Sequence, residues 1–368
     1  VVVGDEAGTA LTTGDNNVAV GFEALKTEDA NGDNVAVGYQ ALKTLNAGAD
    51  GFNTAVGYLA GTALTTGVRN VLIGAEAGDA LEDSGSNVAI GFQSMTANTS
   101  GSDNVAIGRA TLAAFNVTGT TSTYNTVVGH QAGNAVTTGK NNTLVGGLAG
   151  DALTDADNNV AVGLQALTTD TLGSRTIAIG QGALENQNFT TATNTYNVAV
   201  GHAAGGSVTT GLVNTLAGGL AGDAITTGND NAAFGYNSLG ANTASNRNTA
   251  IGSQALATFN VTTDTHTYNT AVGYAAGNAV TTAVFNTLVG GLAGDALTTG
   301  QENAAFGYLA LSGDTLGSHS VAVGSYALQA QNFTTATDSF NTAVGYAAGT
   351  AVTTGVFNTL IGGEAGDA

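Results

Sequence analysis

No proline, cysteine or tryptophan occurs anywhere in this 368-residue chain, and methionine occurs once. The lack of cysteine excludes disulfide staples and cysteine-ligated zinc. Basic residues are nearly absent too: 7 Lys and Arg stand against 27 Asp and Glu, a formal net charge of −20. The few cations are scattered, with Lys26 and Lys43 in equivalent positions near the start. With no basic patch to release counterions, no nucleic-acid partner is expected. No run of 18 apolar residues exists, so no transmembrane helix and no membrane insertion are expected in this segment. No signal peptide is visible. The acidity instead suits an apolar-rich chain that must stay soluble and repel its own kind.

What the chain has is glycine, 55 residues of it, with 43% hydrophobic and only 9% charged residues. Glycine and low complexity together suit disorder. The phasing argues otherwise, because a glycine closes the same five-residue phrase again and again. The phrase reads Asn-(Val/Thr/Ala)-(Ala/Leu)-(Val/Ile/Phe)-Gly, as in Asn17-Val18-Ala19-Val20-Gly21 and Asn286-Thr287-Leu288-Val289-Gly290. Its glycines run from Gly4, Gly21 and Gly38 to Gly345 and Gly362, mostly in steps of 17. A fixed short period is the signature of a solenoid, whose units bury their apolar faces only against neighbouring units. The fold class expected is all-β, a parallel β-solenoid of about 21 coils of 17–21 residues. Residues 1–368 are expected to form one continuous repeat region, a segment of a longer fibre protein.

A second period lies above the first. From Gly57 to Gly129, Gly201, Gly273 and Gly345 the step is 72 residues, so a four-coil super-repeat runs from about residue 53. One coil in each four is lengthened at the same place, over Asn116–Tyr124, Asn188–Tyr196, Asn260–Tyr268 and Asn332–Phe340. An insertion recurring at one point of a coil is a loop on one face, and solenoids often bind there. At about 4.8 Å per coil, such loops recur about every 19 Å along a rod of roughly 100 Å. The candidate ligand-contact residues are therefore Asn116, Tyr124, Asn188, Tyr196, Asn260, Tyr268, Asn332 and Phe340.

Counting each coil from its Asn as position 1, positions 2 and 4 share one face of a strand and positions 3 and 5 the other. Position 4 is apolar throughout (Val20, Val37, Ile73, Ile361), position 3 is mostly Ala, and position 5 is Gly. Both faces are dry, unlike those of a half-solvated strand. The larger position-4 side chains are expected to fill the coil, and the small Ala/Gly side to meet another copy of the chain. Position 3 also varies with position 6. Leu72, Leu144, Leu216, Leu288 and Leu360 accompany Ala75, Gly147, Gly219, Gly291 and Gly363, whereas Ala at position 3 often accompanies Tyr39, Tyr58, Tyr274 or Tyr346. Such size compensation predicts one close-packed interface shared by positions 3 and 6. The recurrent Asn suits a turn residue bonding to the next coil, the Gly a site of positive φ or close approach, and the Thr-Thr-Gly segments the closing turn.

Catalytic chemistry finds little support. His130 and His202 stand where sister repeats carry Tyr274 and Tyr346, and His266 and His319 share no partner in sequence. No Ser-His-Asp set, P-loop or HExxH is present. The six-residue aliphatic phase of hexapeptide acyltransferases fails, since Asn134, Asp151, Asn278 and Asp295 fall six beyond position 4. The acidic turn Asp151–Asp157 offers oxygens to Ca²⁺, but its counterpart from Asp295 to Gly300 has lost two carboxylates, so a solvated turn is the better reading. No enzyme, metal or cofactor is expected. Each long coil carries Asn-x-Thr, an N-glycosylation acceptor only in a source that has the machinery.

The phrases NVAVG, NVAIG and NTAVG resemble the head repeats of trimeric autotransporter adhesins of the YadA type, and the 17-residue NTAVGYxAG…TTGxx form resembles phage tail-fibre repeats. The resemblance spans essentially the whole chain. It implies a left-handed parallel β-roll and a homotrimer, with end-to-end stacking as a further mode of association. Coil length departs from the adhesin head, at 17 residues against a usual 14. The function implied is an extracellular, non-catalytic structural fibre, either a tail-fibre shaft or a cell-surface adhesin, touching a host glycan or protein. The alternative is an ice- or surface-binding solenoid that uses Thr ladders.

Overall fold

The computed structural model describes residues 1–367 of the chain. It is a parallel β-solenoid of about 21 turns, with no helix among the described residues. By contact the chain divides into two compact units, Val1–Ile177 with Asn188–Asn194, and Ala178–Gln187 with Thr195–Ala368. Each unit is built in the same way. Positions 2 to 4 of every coil after the first form a three-residue strand, such as Thr270–Val272, Thr287–Val289 and Ala304–Phe306 in the second unit; the first has Val2–Val3. These pair in parallel and in register, Ala271 against Leu288 and Leu288 against Ala305. Equivalent residues therefore stack, as Val88, Ala89 and Ile90 do on Val105, Ala106 and Ile107 in the first unit.

The glycine at position 5 ends each strand. Gly290 has φ 138°, and a Cβ there would be driven into the backbone of Gly307 one coil on. Only glycine tolerates both the angle and the approach. Beyond it the chain turns corners through left-handed residues at positions 7 and 9, including non-glycines such as Leu292 and Leu311. Each left-handed non-glycine costs roughly 1–2 kcal/mol, offset because its amide bonds to a neighbouring coil. Leu292 N donates to Tyr274 O at 2.9 Å, and Leu311 N to Ala327 O at 2.9 Å.

The core corrects the expected assignment of faces. Position 3, not position 4, points into the coil: Ala271, Leu288, Ala305 and Ala322 are fully buried. With them are the Ala at position 8 (Ala276, Ala293) and the apolar residue at position 12 (Val280, Leu297). Position 4 lies outward, with Ile73 at 37%, Phe234 at 40% and Phe306 at 41% exposure. Positions 3 and 6 consequently do not share an interface. The partner of position 3 is position 9. Where position 3 is Leu, position 9 is Gly in its own coil and in the coil before. A Cβ on Gly277 would sit 2.7 Å from Leu288 Cδ1, and one on Gly294 2.8 Å from Leu288 Cδ2. Where position 3 is Ala, position 9 is usually Leu, as with Ala305 and Leu311, both buried. Volume is conserved inside the coil, as close packing demands.

Asn at position 1 forms the expected ladder, with a second bond not foreseen. Asn303 N donates to Asn286 Oδ1 at 3.0 Å, and Asn286 Nδ2 donates to Gly300 O at 3.0 Å, across the coil's closing turn. In the 17-residue coils the Asn thus fastens its own coil shut and accepts from the next, whereas Asn34, Asn104 and Asn248, which open longer coils, donate back to Gly32, Ser102 and Asn246.

Candidate ligand-contact surface

Each long coil is held down by a short second strand. Thr121–Ser122 pairs with Gly101–Ser102, Thr193–Asn194 with Gly173–Ser174, and Thr337–Asp338 with Gly317–Ser318, while Asn246 and His266 form a bridge. The predicted loop residues divide into two groups. Their asparagines serve the scaffold. Thr hydroxyls at position 13 donate to the carbonyl one coil on, Thr281 to Thr298 O at 3.2 Å and Thr298 to Thr315 O at 3.0 Å. The long-coil Asn ends each run as a side-chain acceptor. Thr99 donates to Asn116 Oδ1 (2.9 Å), Thr171 to Asn188 (3.1 Å), Thr243 to Asn260 (2.8 Å) and Thr315 to Asn332 (3.0 Å).

The aromatics are the exposed group. Tyr124, Tyr196, Tyr268 and Phe340 are 62%, 53%, 46% and 47% exposed. All four occupy the left-handed position just before the ladder Asn, with φ of 49–52°. Tyr268 stacks on Phe285 with centroids 5.9 Å apart, and Phe340 lies between His319 (4.9 Å) and Phe357 (5.4 Å). Around them the repeat breaks into unlike polar pairs on one framework. Ser122 donates to Asp103, Arg247 Nη1 donates to Tyr268 Oη at 2.6 Å, and His319 Nδ1 lies 3.1 Å from Asp338. Two shallow depressions open beside these loops. One, of about 260 Å³, includes Thr118, Lys140 and Asp157; the other, of about 330 Å³, includes Asp230, Arg247, Asp264 and His266. Reading the loops for repeated residues missed this second group, whose signal is failure to recur at the 72-residue step.

Beneath the loops lies a buried polar alternation, also unread in the sequence. In one coil Asn242 Nδ2 donates to Ser245 O at 3.1 Å, and the following coil buries Phe259. Seventy-two residues on, Asp314 accepts from Gly317 N (3.0 Å) and from Gln331 Nε2 (2.6 Å), so Gln replaces the phenylalanine. Gln331 also donates to Ser320 Oγ at 2.8 Å, and Ser320 stands where the ladder has Asn. The phenyl ring moves two residues along: Phe333 packs against Gly317, as Phe115 does against Gly101 in the first unit.

Position 6 and position 4 form the second candidate surface. Tyr236, Tyr274, Tyr308 and Tyr346 are 56%, 60%, 48% and 58% exposed, and Phe22, Tyr39 and Tyr58 stack at 5.3 Å intervals. His130 accompanies them, its Nε2 3.1 Å from Arg109 Nη1. Lys26 and Lys43 are both engaged by Glu23 at 2.6 Å, and this holds the Glu23 carboxyl down at about 2. Among the described residues, no three His, Asp or Glu side chains gather as a metal would need, and no helix is long and apolar enough to cross a membrane.

No model of a known protein family matches the chain, and no curated protein matches it.

Proposed function

We propose that this chain is a repeat segment of an extracellular, non-catalytic homotrimeric fibre, a tail-fibre shaft or cell-surface adhesin, with left-handed coils. The observation that carries the reading is the outward apolar face. Within the second unit, Phe234, Tyr236, Ile251, Tyr274, Phe306 and Tyr308 are all 40% exposed or more and fall on most of the successive coils. Contiguous apolar patches beyond a few hundred Å² mark interaction sites on soluble proteins. An apolar stripe repeating with the coil is best matched by an equally repetitive surface, and other copies of the same chain supply one. The resemblance of NVAVG and NTAVG to YadA-type heads and tail-fibre repeats supports three as the copy number.

The Thr ladders favour this reading over ice binding. Their hydroxyl protons are directed to backbone carbonyls of the next coil, and each run is broken by an Asn after three coils. Light scattering tests the proposal: three times the chain mass, or a multiple of that, is expected. A monomer stable at micromolar concentration overturns it, and thermal hysteresis in the same sample would establish the ice-binding alternative.

A further inference from the structure

We infer that the depression beside the third long loop, built from Asp230, Asn246, Arg247, Asp264 and His266, with Tyr268 at its margin through the bond to Arg247, is a binding site for a neutral saccharide. The inference goes beyond the fibre reading, takes the long loops as the candidate contact surface described above, and names the ligand class for one of them.

The floor is rigid. Asn246 is 1% exposed, its Oδ1 accepts from Asn229 N at 2.6 Å, and its Nδ2 donates to Asp264 Oδ1 at 2.5 Å. The His266 ring nitrogen Nδ1 lies 3.5 Å from the same amide. On the other wall, the Arg247 guanidinium lies 3.6 Å from Asp230 and donates to Tyr268 Oη. Donors and acceptors are therefore interleaved and held in place, which lowers the ordering cost of binding.

Charge narrows the class. Two carboxylates flank one guanidinium, so an anion meets Asp230 and Asp264 while a cation meets Arg247, and neither is well matched. Sugar hydroxyls donate and accept at once. They can give a proton to the second oxygen of Asp264 and take one from a free guanidinium N–H of Arg247, as charge-assisted bonds. The apolar side of a pyranose ring needs a flat apolar partner. Val213, 49% exposed in the lining, supplies it together with the exposed edge of Tyr268, 46% exposed at the margin, whose ring is stacked on Phe285 at 5.9 Å and has the Arg247 guanidinium 5.6 Å from its centroid. About 330 Å³ is at the small end of ligand pockets, and the shallow form suits one or two rings lying flat.

The set belongs to this loop alone. The positions of Asp264 and His266 hold Thr120 and Ser122 in the first loop and Ala336 and Asp338 in the fourth. A scaffold role would be expected to recur with the scaffold, as the loop Asn does. Recognition has no such obligation.

The test is saturation-transfer NMR on the intact chain with neutral oligomers of glucose, galactose, mannose and N-acetylglucosamine, beside sialylated and sulfated lactose. At least one neutral oligomer is expected to bind at millimolar concentration. Asp264→Asn and Tyr268→Ala should each weaken it about tenfold or more, as loss of a hot-spot contact does, while Lys140→Ala in the first depression should leave it unchanged. Binding to the same sugar as an immobilised polysaccharide distinguishes a surface glycan from a free oligosaccharide. The inference is overturned if no neutral oligomer binds, if only the charged lactoses bind, or if both variants bind as the parent does. Light scattering on the same samples reports the trimer separately, so failure of the saccharide site and failure of the fibre reading are distinguishable.

Discussion

Leu288 occupies the space that Gly277 leaves. Its Cδ1 lies 2.7 Å from where a Cβ on Gly277 would stand, and its Cδ2 2.8 Å from the corresponding point on Gly294. Leu288→Ala should therefore cost about 2–5 kcal/mol, the range for a leucine removed from a packed core. Adding Gly294→Leu recreates the other coil type, Ala at position 3 with Leu at position 9, and should recover part of the loss. A double-mutant cycle by urea denaturation is expected to show favourable coupling of about 1 kcal/mol or more. Strict additivity would show that the two positions are independent.

Asn286 gives the ladder a sharper test. Asn286→Ala strands the Gly300 carbonyl and the Asn303 amide, both paired with it at 3.0 Å. At about 1–3 kcal/mol for each orphaned group, a loss on the order of 2–4 kcal/mol is expected. Asn286→Asp can still accept from Asn303 but cannot donate to Gly300, so at neutral pH it should be no better than Ala. An Asp variant as stable as the parent would remove the cross-coil bond from the account.

Asp295 should make stability fall as pH rises. Burial pushes its carboxyl above the ordinary 3.8, and its Oδ1 is buried without a partner. The folded state then binds its proton more tightly than the unfolded state. Stability is highest below about 3.8 and declines as pH climbs from there through the raised folded value. Asp295→Asn should raise Tm at pH 7, with the gain shrinking as pH approaches 3.8. Ser312→Thr should help as well, since Thr96 at the matching place donates to Asp79 at 2.6 Å. An Asn variant whose Tm difference does not change with pH would exclude the carboxyl as the cause.

If the chain assembles as proposed, the two faces of the strand separate folding from assembly. Ala271 is fully buried and Tyr274 is 60% exposed. Ala271→Arg places an unpaired charge inside the coil, which costs several kcal/mol, and should unfold the surrounding coils by circular dichroism. Tyr274→Arg with Phe306→Arg should leave the spectrum intact and lower the oligomer mass, whereas Thr281→Arg, in an exposed turn, should change neither. Full-mass oligomers of the Tyr274/Phe306 variant would move the interface elsewhere.

Trimming four residues from Asn260–Tyr268 should leave a folded chain, because 17-residue coils already close. It removes the bridge between Asn246 and His266, and should abolish saccharide binding at that loop with a Tm change of only a few degrees. A trimmed chain that fails to fold would make the loop part of the scaffold.

The coil, its strand, the glycine after it and the Asn ladder were all legible in the sequence, because each is enforced twenty or so times by the same backbone demand. The inward face was not. Alternation separates Leu288 from Val289 but does not say which is inside when both are apolar. Size suggested position 4. The interior is in fact filled from the corners, where left-handed residues such as Leu311 send side chains inward, leaving only the space of an alanine above most strand centres. The exchange of Asn242 and Phe259 for Asp314 and Gln331 was missed because it alternates at twice the super-repeat. The polar cluster around Arg247 was missed because the search favoured residues that recur.

The in-register Asn ladder has a consequence for how such a molecule changes over time. Asn286 interacts with Asn269 before it and Asn303 after it, and with nothing that records how many coils lie beyond. A chain of this kind can gain or lose a whole four-coil block and keep ladder bonds such as these, while a change of two blocks also keeps the alternation of Asn242 with Asp314. Coil number therefore becomes a quantised trait, altered in fixed steps by duplication or deletion without redesign of a core, while each added block brings one more loop whose side chains are free to diverge.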